Sequence, residues 1–265
     1  MNIQAIAFDL DDTLLRDDRS ISDRTVAAVR EAARRGVRII PASGRTSASM
    51  RAMVERLGCA ACYIACNGAE VRTPGHELLM QELLSVELAR EVAAFAAEEG
   101  CYAQTYYGER FYYSTESRYA REYAASSSLE GEYAGDLTAF IDRPTTKLLM
   151  MDEPARIAQL MKKAQALWRG VASVTSSKPH FLEVNPLRAT KGNALSWCAE
   201  RFGFDLRHTA AFGDSLNDVS MLTAAGYGVA MANARPEVLE LIPLHCLSNQ
   251  EDGVADFIEK NVLDS

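Results

Sequence analysis

The sequence predicts an α/β protein: a parallel sheet with connecting helices, interrupted by an inserted α+β domain. Short apolar runs alternate with helical periods over roughly the first 65 residues, each run stops at a polar loop, and the same texture returns after Pro186. Ile3 to Phe8 is apolar and ends at Asp9-Leu10-Asp11-Asp12-Thr13, the pattern of a buried strand that delivers acids to a loop. Ser22 reads as an N-cap, with Val26, Val29 and Ala33 at helical spacing before Gly36. Val37 to Ala42 is a second strand running into Ser43-Gly44-Arg45, and Met50, Met53, Val54 and Leu57 trace the next helical face. A third strand, Cys62 to Cys66, stops at Asn67-Gly68, a dipeptide that favours a tight turn. Strands and helices in this alternation imply parallel pairing with right-handed crossovers, and such sheets bind ligands beyond their carboxyl-terminal strand ends.

From about 82 the texture changes. Ser85 to Glu99 reads as an amphipathic helix, and Cys101 to Ser114 as an aromatic-rich antiparallel hairpin turning at Gly108. Lys147 to Met151 and Phe181 to Val184 read as strands, with a helix near Ala155 to Leu167 between them. The core pattern then resumes: helix Gly192 to Phe202, strand Thr209 to Phe212, loop Gly213 to Asp218, a helix to Ala225, and strand Tyr227 to Met231. The expected organisation is one core made of residues 1–81 and 187–265, with a separate domain at 82–186 inserted in it. Ser126-Ser127-Ser128 is expected in a loop.

Composition narrows the function. Apolar residues make up 48% and charged residues 24% of 265, ordinary for a folded soluble chain, and no apolar run approaches the roughly 20 residues of a membrane helix. The net charge of −8 opposes binding to nucleic acid or to an anionic membrane. The opening Met1-Asn2-Ile3-Gln4 lacks the basic and apolar stretches of a secretory signal, so a cytoplasmic protein is expected. Six cysteines are too few for a disulfide scaffold. Cys59 and Cys62 form a C-x-x-C without a second pair, so core thiols are expected, and the four histidines have no metal-ligand spacing.

The polar loops carry the chemistry. Asp9 and Asp11, where the chain turns out of a strand, can offer a carboxylate and a neighbouring carbonyl to one hard cation; Asp214 and Asp218 can supply distal carboxylates. Four acids converging would repel one another strongly, and a bound divalent ion resolves that. The alternative is an exposed turn at Asp9 to Asp12, with Asp214 and Asp218 as helix cap and surface acid. Ser43 and Gly44 close a strand and open a helix, so they form either an anion cradle or a plain N-cap. Lys191 begins a helix, where a cation is unfavourable unless something anionic lies near.

Asp9-Leu10-Asp11-Asp12-Thr13-Leu14-Leu15, Ser43-Gly44-Arg45, Asn67-Gly68-Ala69, Lys191-Gly192-Asn193-Ala194-Leu195 and Gly213-Asp214-Ser215-Leu216-Asn217-Asp218 follow the order of the haloacid dehalogenase superfamily motifs. The chain resembles the Cof-like phosphatases of that superfamily, whose Rossmann-like core carries an inserted α/β cap. The resemblance implies that Asp9 attacks a phosphoryl group to form an aspartyl-phosphate and that Asp11 protonates the leaving oxygen, then activates water. It also implies Mg²⁺ held by Asp9, the Asp11 carbonyl and Asp214, with Asp218 in support. Ser43, the Gly44 amide, Lys191, Asn217 and the Leu10 amide would hold phosphate oxygens. Many relatives have Gly where this chain has Asp12, although this branch also tolerates Asp there.

The cap is expected to set substrate choice. Tyr102, Tyr106, Tyr107, Phe111, Tyr112 and Tyr113 read as sheet packing, with stacking on a substrate ring the alternative. His180 and Glu183 read either as strand-end polarity or as groups approaching the leaving group. The expected protein is a monomer or small homo-oligomer that hydrolyses small phosphorylated metabolites such as sugar phosphates. A phosphomutase, a disaccharide-phosphate phosphatase and a catalytically silent phosphometabolite-binding protein are the alternatives. Keeping Asp9, Asp11, Lys191 and Asp214 together argues against the last, since binding alone needs no nucleophile and acid.

Overall fold

A computed structural model describes residues 2–127 and 129–264; Ser128, the last of the three serines expected in a loop, lies outside the described residues. The described chain divides into two compact units: residues up to Met80 with those from Thr190 onward, and Gln81–Ala189. The elements run β1 (Ala5–Phe8), α1 (Asp23–Arg34), β2 (Arg38–Pro41), α2 (Ser47–Leu57), β3 (Tyr63–Ala65), β4 (Glu70–Arg72) and β5 (Leu78–Gln81). There follow α3 (Val86–Glu98), β6 (Tyr102–Tyr107), β7 (Arg110–Tyr113), α4 (Arg118–Ser127), β8 (Glu130–Tyr133), α5 (Leu137–Phe140), β9 (Leu148–Met151), α6 (Pro154–Leu167), β10 (Ala172–Thr175) and β11 (Phe181–Pro186). The chain ends with α7 (Lys191–Phe202), β12 (Thr209–Gly213), α8 (Val219–Ala224), β13 (Tyr227–Met231), α9 (Pro236–Leu241), β14 (Leu244–Cys246) and α10 (Gly253–Ile258).

The first unit is built on a five-stranded parallel sheet, β14-β13-β12-β1-β2. Every residue of β1 is buried, as its unbroken apolar run requires when helices cover both sheet faces. Register places the chemistry. Phe8 lies opposite Phe212 on one side and Pro41 on the other, so Asp9, Ala42 and Gly213 leave the sheet at the same edge. The ladder bonds continue past the strand ends, with Asp9 N donating to Phe212 O at 3.0 Å and Ala42 N to Phe8 O at 2.9 Å. Ser22 caps α1 as its sequence position predicts, its side chain accepting from Thr25 N. The buried stripe of α1 is Thr25, Ala28, Val29 and Ala32, so the helix is rotated slightly from the Val26, Val29, Ala33 line.

Two local expectations change. The third strand is not a full member of the parallel ladder: its segment runs parallel beside that of β2 through the isolated bridges Ile39 to Ala60 and Ala42 to Ile64, with Ser43 N donating to Ile64 O at 2.8 Å. Its other edge begins an antiparallel sheet, β3-β4-β5, because the chain reverses directly after Ala65. The N-cap of α2 is Thr46, whose side chain accepts from Ser49 N, so Ser43 stands three residues ahead of the helix cap.

The second unit is a six-stranded sheet, β10-β11-β9-β6-β7-β8, antiparallel except where β7 runs parallel to β8. Alternation divides its faces. Ala103, Leu148, Met150, Leu182 and Val184 join Val92, Phe95, Ile157, Leu160 and Trp168 in one core, with Phe95 and Trp168 edge to face at 5.3 Å. Gln104, Leu149 and Glu183 share a row on the opposite face. The aromatic stretch is sheet packing: Tyr107, Tyr112 and Phe140 group together, and Phe111 packs on Tyr123 at 5.1 Å. Ser126 and Ser127 are not loop but the last turn of α4, where both hydroxyls donate back to Tyr123 O.

Candidate active site

Three loops at the carboxyl edge of the parallel sheet supply the site. Asp9 leaves β1, and residues 10–14 form a tight turn in which Asp12 adopts φ 58°, ψ 8°. That left-handed conformation is the one glycine takes without strain and Asp tolerates better than most residues. Asp214 follows the last residue of β12, and Asp218 precedes α8. Gly213 is required there because a Cβ would lie 2.4 Å from the Cβ of Asp218. The folded-back Asp218 Oδ2 accepts from the amides of Asp214 and Ser215, each at 3.0 Å, and so fixes the loop that carries Asp214.

Asp9, Asp214 and Asp218 each turn a carboxylate oxygen to a common point, all within 4.8 Å of one another and all buried. Lys191, at the first turn of α7 and completely buried, places Nζ 2.5 Å from Asp9 Oδ1 and 2.6 Å from Asp218 Oδ1. This explains a lysine at a helix start: two carboxylates offset the dipole. The fourth acid stands apart. Arg45 donates to both oxygens of Asp11, at 2.8 and 2.7 Å, so three acids converge rather than the four the sequence suggested.

One ammonium does not neutralise three carboxylates. Burial pushes the Asp9 carboxyl up to about 8, helped by the neighbouring Asp218 and Asp11 and opposed by Lys191. Burial, with Asp218 and Asp9, also holds Asp214 well above the usual carboxylate range. Burial alone would pull the Lys191 ammonium down, but the charges of Asp218 and Asp9 outweigh it and hold it above its ordinary value. Asp9 and Asp214, whose ionisation burial opposes, are with Asp218 hard oxygen donors, and a hard divalent cation would supply the charge that lets those two ionise.

The remaining predicted residues line the same edge. Ser43 is buried, and its Oγ accepts from Arg45 N at 3.1 Å, an ST-type turn instead of a helix cap. Gly44 lies against Asn67, whose Oδ1 would be 2.9 Å from a Cβ at that position. Leu10 is buried directly after Asp9. Asn217, also buried, donates from Nδ2 to Asn67 Oδ1 at 2.9 Å, while its Oδ1 has no protein partner. Three residues went unassigned in the sequence. Arg45 grips Asp11, Asn67 holds Asn217, and Thr13 Oγ1 donates to Asp214 Oδ1 at 2.9 Å. Each stands inside a motif of the sequence, Asn67 in the Asn67-Gly68-Ala69 segment whose turn-forming dipeptide is its local signal.

Other sequence candidates lie elsewhere. Cys62 Sγ is 3.5 Å from Cys198 Sγ in the interior, and among the described residues the three aspartates are the only cluster of metal-ligating type. Glu183 is an interior strand residue paired with Lys147 at 2.6 Å, and the His180 ring packs edge on against Phe181. No described helix is long and apolar enough to cross a membrane.

Comparison with known proteins gives one consistent result. A family model described as haloacid dehalogenase-like hydrolase matches residues 6–258. The chain is 32% identical to 5-amino-6-(5-phospho-D-ribitylamino)uracil phosphatase YcsE of Bacillus subtilis, covering 99% of this chain and 97% of that one. It is 29% identical to phosphatase YwpJ of the same organism, covering 97% and 99%. A haloacid dehalogenase-like hydrolase from Bacteroides thetaiotaomicron superposes with a TM-score of 0.84 at 27% identity, covering 97% of this chain and 99% of that one.

Proposed function

The chain belongs to the haloacid dehalogenase-like hydrolase family and is a phosphomonoester hydrolase; from that premise we propose that it is a Mg²⁺-dependent phosphatase of small phosphorylated metabolites, sugar phosphates foremost. The observation that carries the reading is the buried convergence of Asp9, Asp214 and Asp218 around Lys191.

In this reading Asp9 is the nucleophile. A carboxylate oxygen of Asp9 bonds to phosphorus as the ester oxygen leaves, and Asp11 gives that oxygen its proton. Asp11 then takes a proton from the water that cleaves the aspartyl-phosphate, which restores both acids. Asp9, Asp214 and the Asp11 carbonyl would hold Mg²⁺, with Asp218 supporting through the loop amides it fixes. When bound, Mg²⁺ would supply positive charge that stabilises the transferring phosphoryl group. Lys191, Ser43, Asn217 and the amides of Leu10 and Gly44 would bind its oxygens, work that is mainly positioning and electrostatics. Arg45 donates to both oxygens of Asp11 and so orients it; one of the two bonds must open for Asp11 to carry the proton that it gives.

The test is phosphate release from a panel of sugar phosphates, nucleotides and pyridoxal phosphate, with and without Mg²⁺, for the native chain and Asp9→Asn. The panel includes 5-amino-6-(5-phospho-D-ribitylamino)uracil, the compound in the name of the 32% identical relative. Release that needs Mg²⁺ and vanishes in Asp9→Asn is expected; release at the native rate from Asp9→Asn removes the nucleophile. Recovery of a second sugar phosphate in place of free phosphate would show a mutase.

A further inference from the structure

Cys66, Asn67 and Gly68, directly after β3, have φ of 51°, 57° and 99°, a left-handed run that only the glycine adopts freely. The surroundings hold it there. Cys66 N donates to Arg45 O at 2.8 Å and Asn67 N to Ser43 O at 3.0 Å, while Ser43 N donates to Ile64 O at 2.8 Å. On its other side Gly68 touches the carbonyl of Thr190, the cap of the helix that begins with Lys191. The Asn67 side chain, 2% exposed, reaches Asn217 at 2.9 Å. One turn therefore touches the Ser43 loop, the start of α7 and Asn217.

We propose that Asn67 is a positioning residue for phosphate binding, its Oδ1 fixing the amide plane of Asn217 so that the second Nδ2 hydrogen is held for a phosphate oxygen. The proposal rests on the phosphatase reading given above. The last torsion of an asparagine has broad, roughly two-fold preferences, so an unheld Asn217 can turn its carbonyl toward an anion instead of its N–H. Asn217 Oδ1 has no protein partner to oppose that rotation, so the bond to Asn67 sets its orientation.

A double-mutant cycle on the full chain tests this. Asn67→Gly removes the side chain while tolerating the positive φ; it is combined with Asn217→Ala. The readouts are kcat and KM on a phosphate that the native chain hydrolyses, the inhibition constant of inorganic phosphate, and the melting temperature. Asn67→Gly should lower kcat/KM about tenfold and weaken phosphate inhibition by a similar factor. Added to Asn217→Ala, it should cost little more. Native kinetics in Asn67→Gly, or losses that multiply in the double variant, overturn the proposal. Should Asn67→Gly not fold, Asn67→Ser takes its place in the same cycle with the same criteria. If the native chain hydrolyses no member of the panel, the phosphatase reading fails by itself. Calorimetric binding of inorganic phosphate to the same variants then decides the role of Asn67: weaker binding in Asn67→Gly that does not compound with Asn217→Ala supports it, and unchanged binding overturns it.

Discussion

At the scale of the residue, the site is under electrostatic strain without a cation. The Asp9 carboxyl titrates near 8 in the folded chain against an ordinary 3.8, chiefly because it is buried. Between about pH 4 and 8 the folded protein therefore retains a proton that the unfolded chain has released. Stability conferred by that proton falls as the pH rises through this window and levels off above it. In chelator, Asp9→Asn should flatten this fall and make the protein more stable than native at pH 8, by an amount on the order of a few kcal/mol. Lys191 still has Asp218 at 2.6 Å in that variant, so no ammonium is orphaned. Denaturant titrations at pH 5 and 8 measure it, and equal slopes in the two proteins would contradict the assignment. Arg45 gives a second expectation: Arg45→Lys keeps the charge but not the two-pronged grip on Asp11. It should lower kcat about tenfold with little change in KM, as steady-state kinetics would show, while an unchanged kcat removes the orienting role.

At the scale of the element, close approaches decide which substitutions the loops accept. Gly68 sits at φ 99° with the Thr190 carbonyl where a Cβ would stand, 2.2 Å away. Gly68→Ala must displace the start of α7, and Lys191 with it. A loss of about 2–4 kcal/mol is expected in urea unfolding, together with a raised KM, and a near-neutral effect would mean that the turn yields. The same elements show what was legible. The Ser22 cap, the helix that follows Ser85, the hairpin turning at Gly108, and the strands that end at Asp9 and Asp214 were readable because caps, turns and apolar runs are local signals. β8, a fully exposed Glu130–Tyr133, carries no apolar alternation to find, and α4 ends in the serine run that reads as loop, with Ser127 on its buried face beside Ala120 and Tyr123. The reversal after β3 has a local signal in Asn67-Gly68, whereas the grip of Arg45 on Asp11 joins residues 34 positions apart, which local pattern does not encode.

At the scale of the whole molecule, the candidate site exists only because the two ends of the chain share one sheet. Thr13 bonds Asp214 across 201 positions and Lys191 bonds Asp9 across 182, while β1 lies between β2 and β12. A cation bound to acids from both segments therefore stabilises the folded core, since the unfolded chain does not assemble the site. At a concentration one hundred times the dissociation constant this linkage is worth about 2.7 kcal/mol, or several degrees in the melting of a unit this size. Mg²⁺ should raise the melting temperature of the native chain, and more at pH 8 than at pH 5, because protons on Asp9 compete with the ion. Asp214→Asn should lose most of that rise, whereas Asp205→Asn, at a half-buried acid paired with Arg207, should keep it. An equal rise in all three proteins would mean that Mg²⁺ acts outside the cluster. No rise in the native chain would mean that the three aspartates do not bind it.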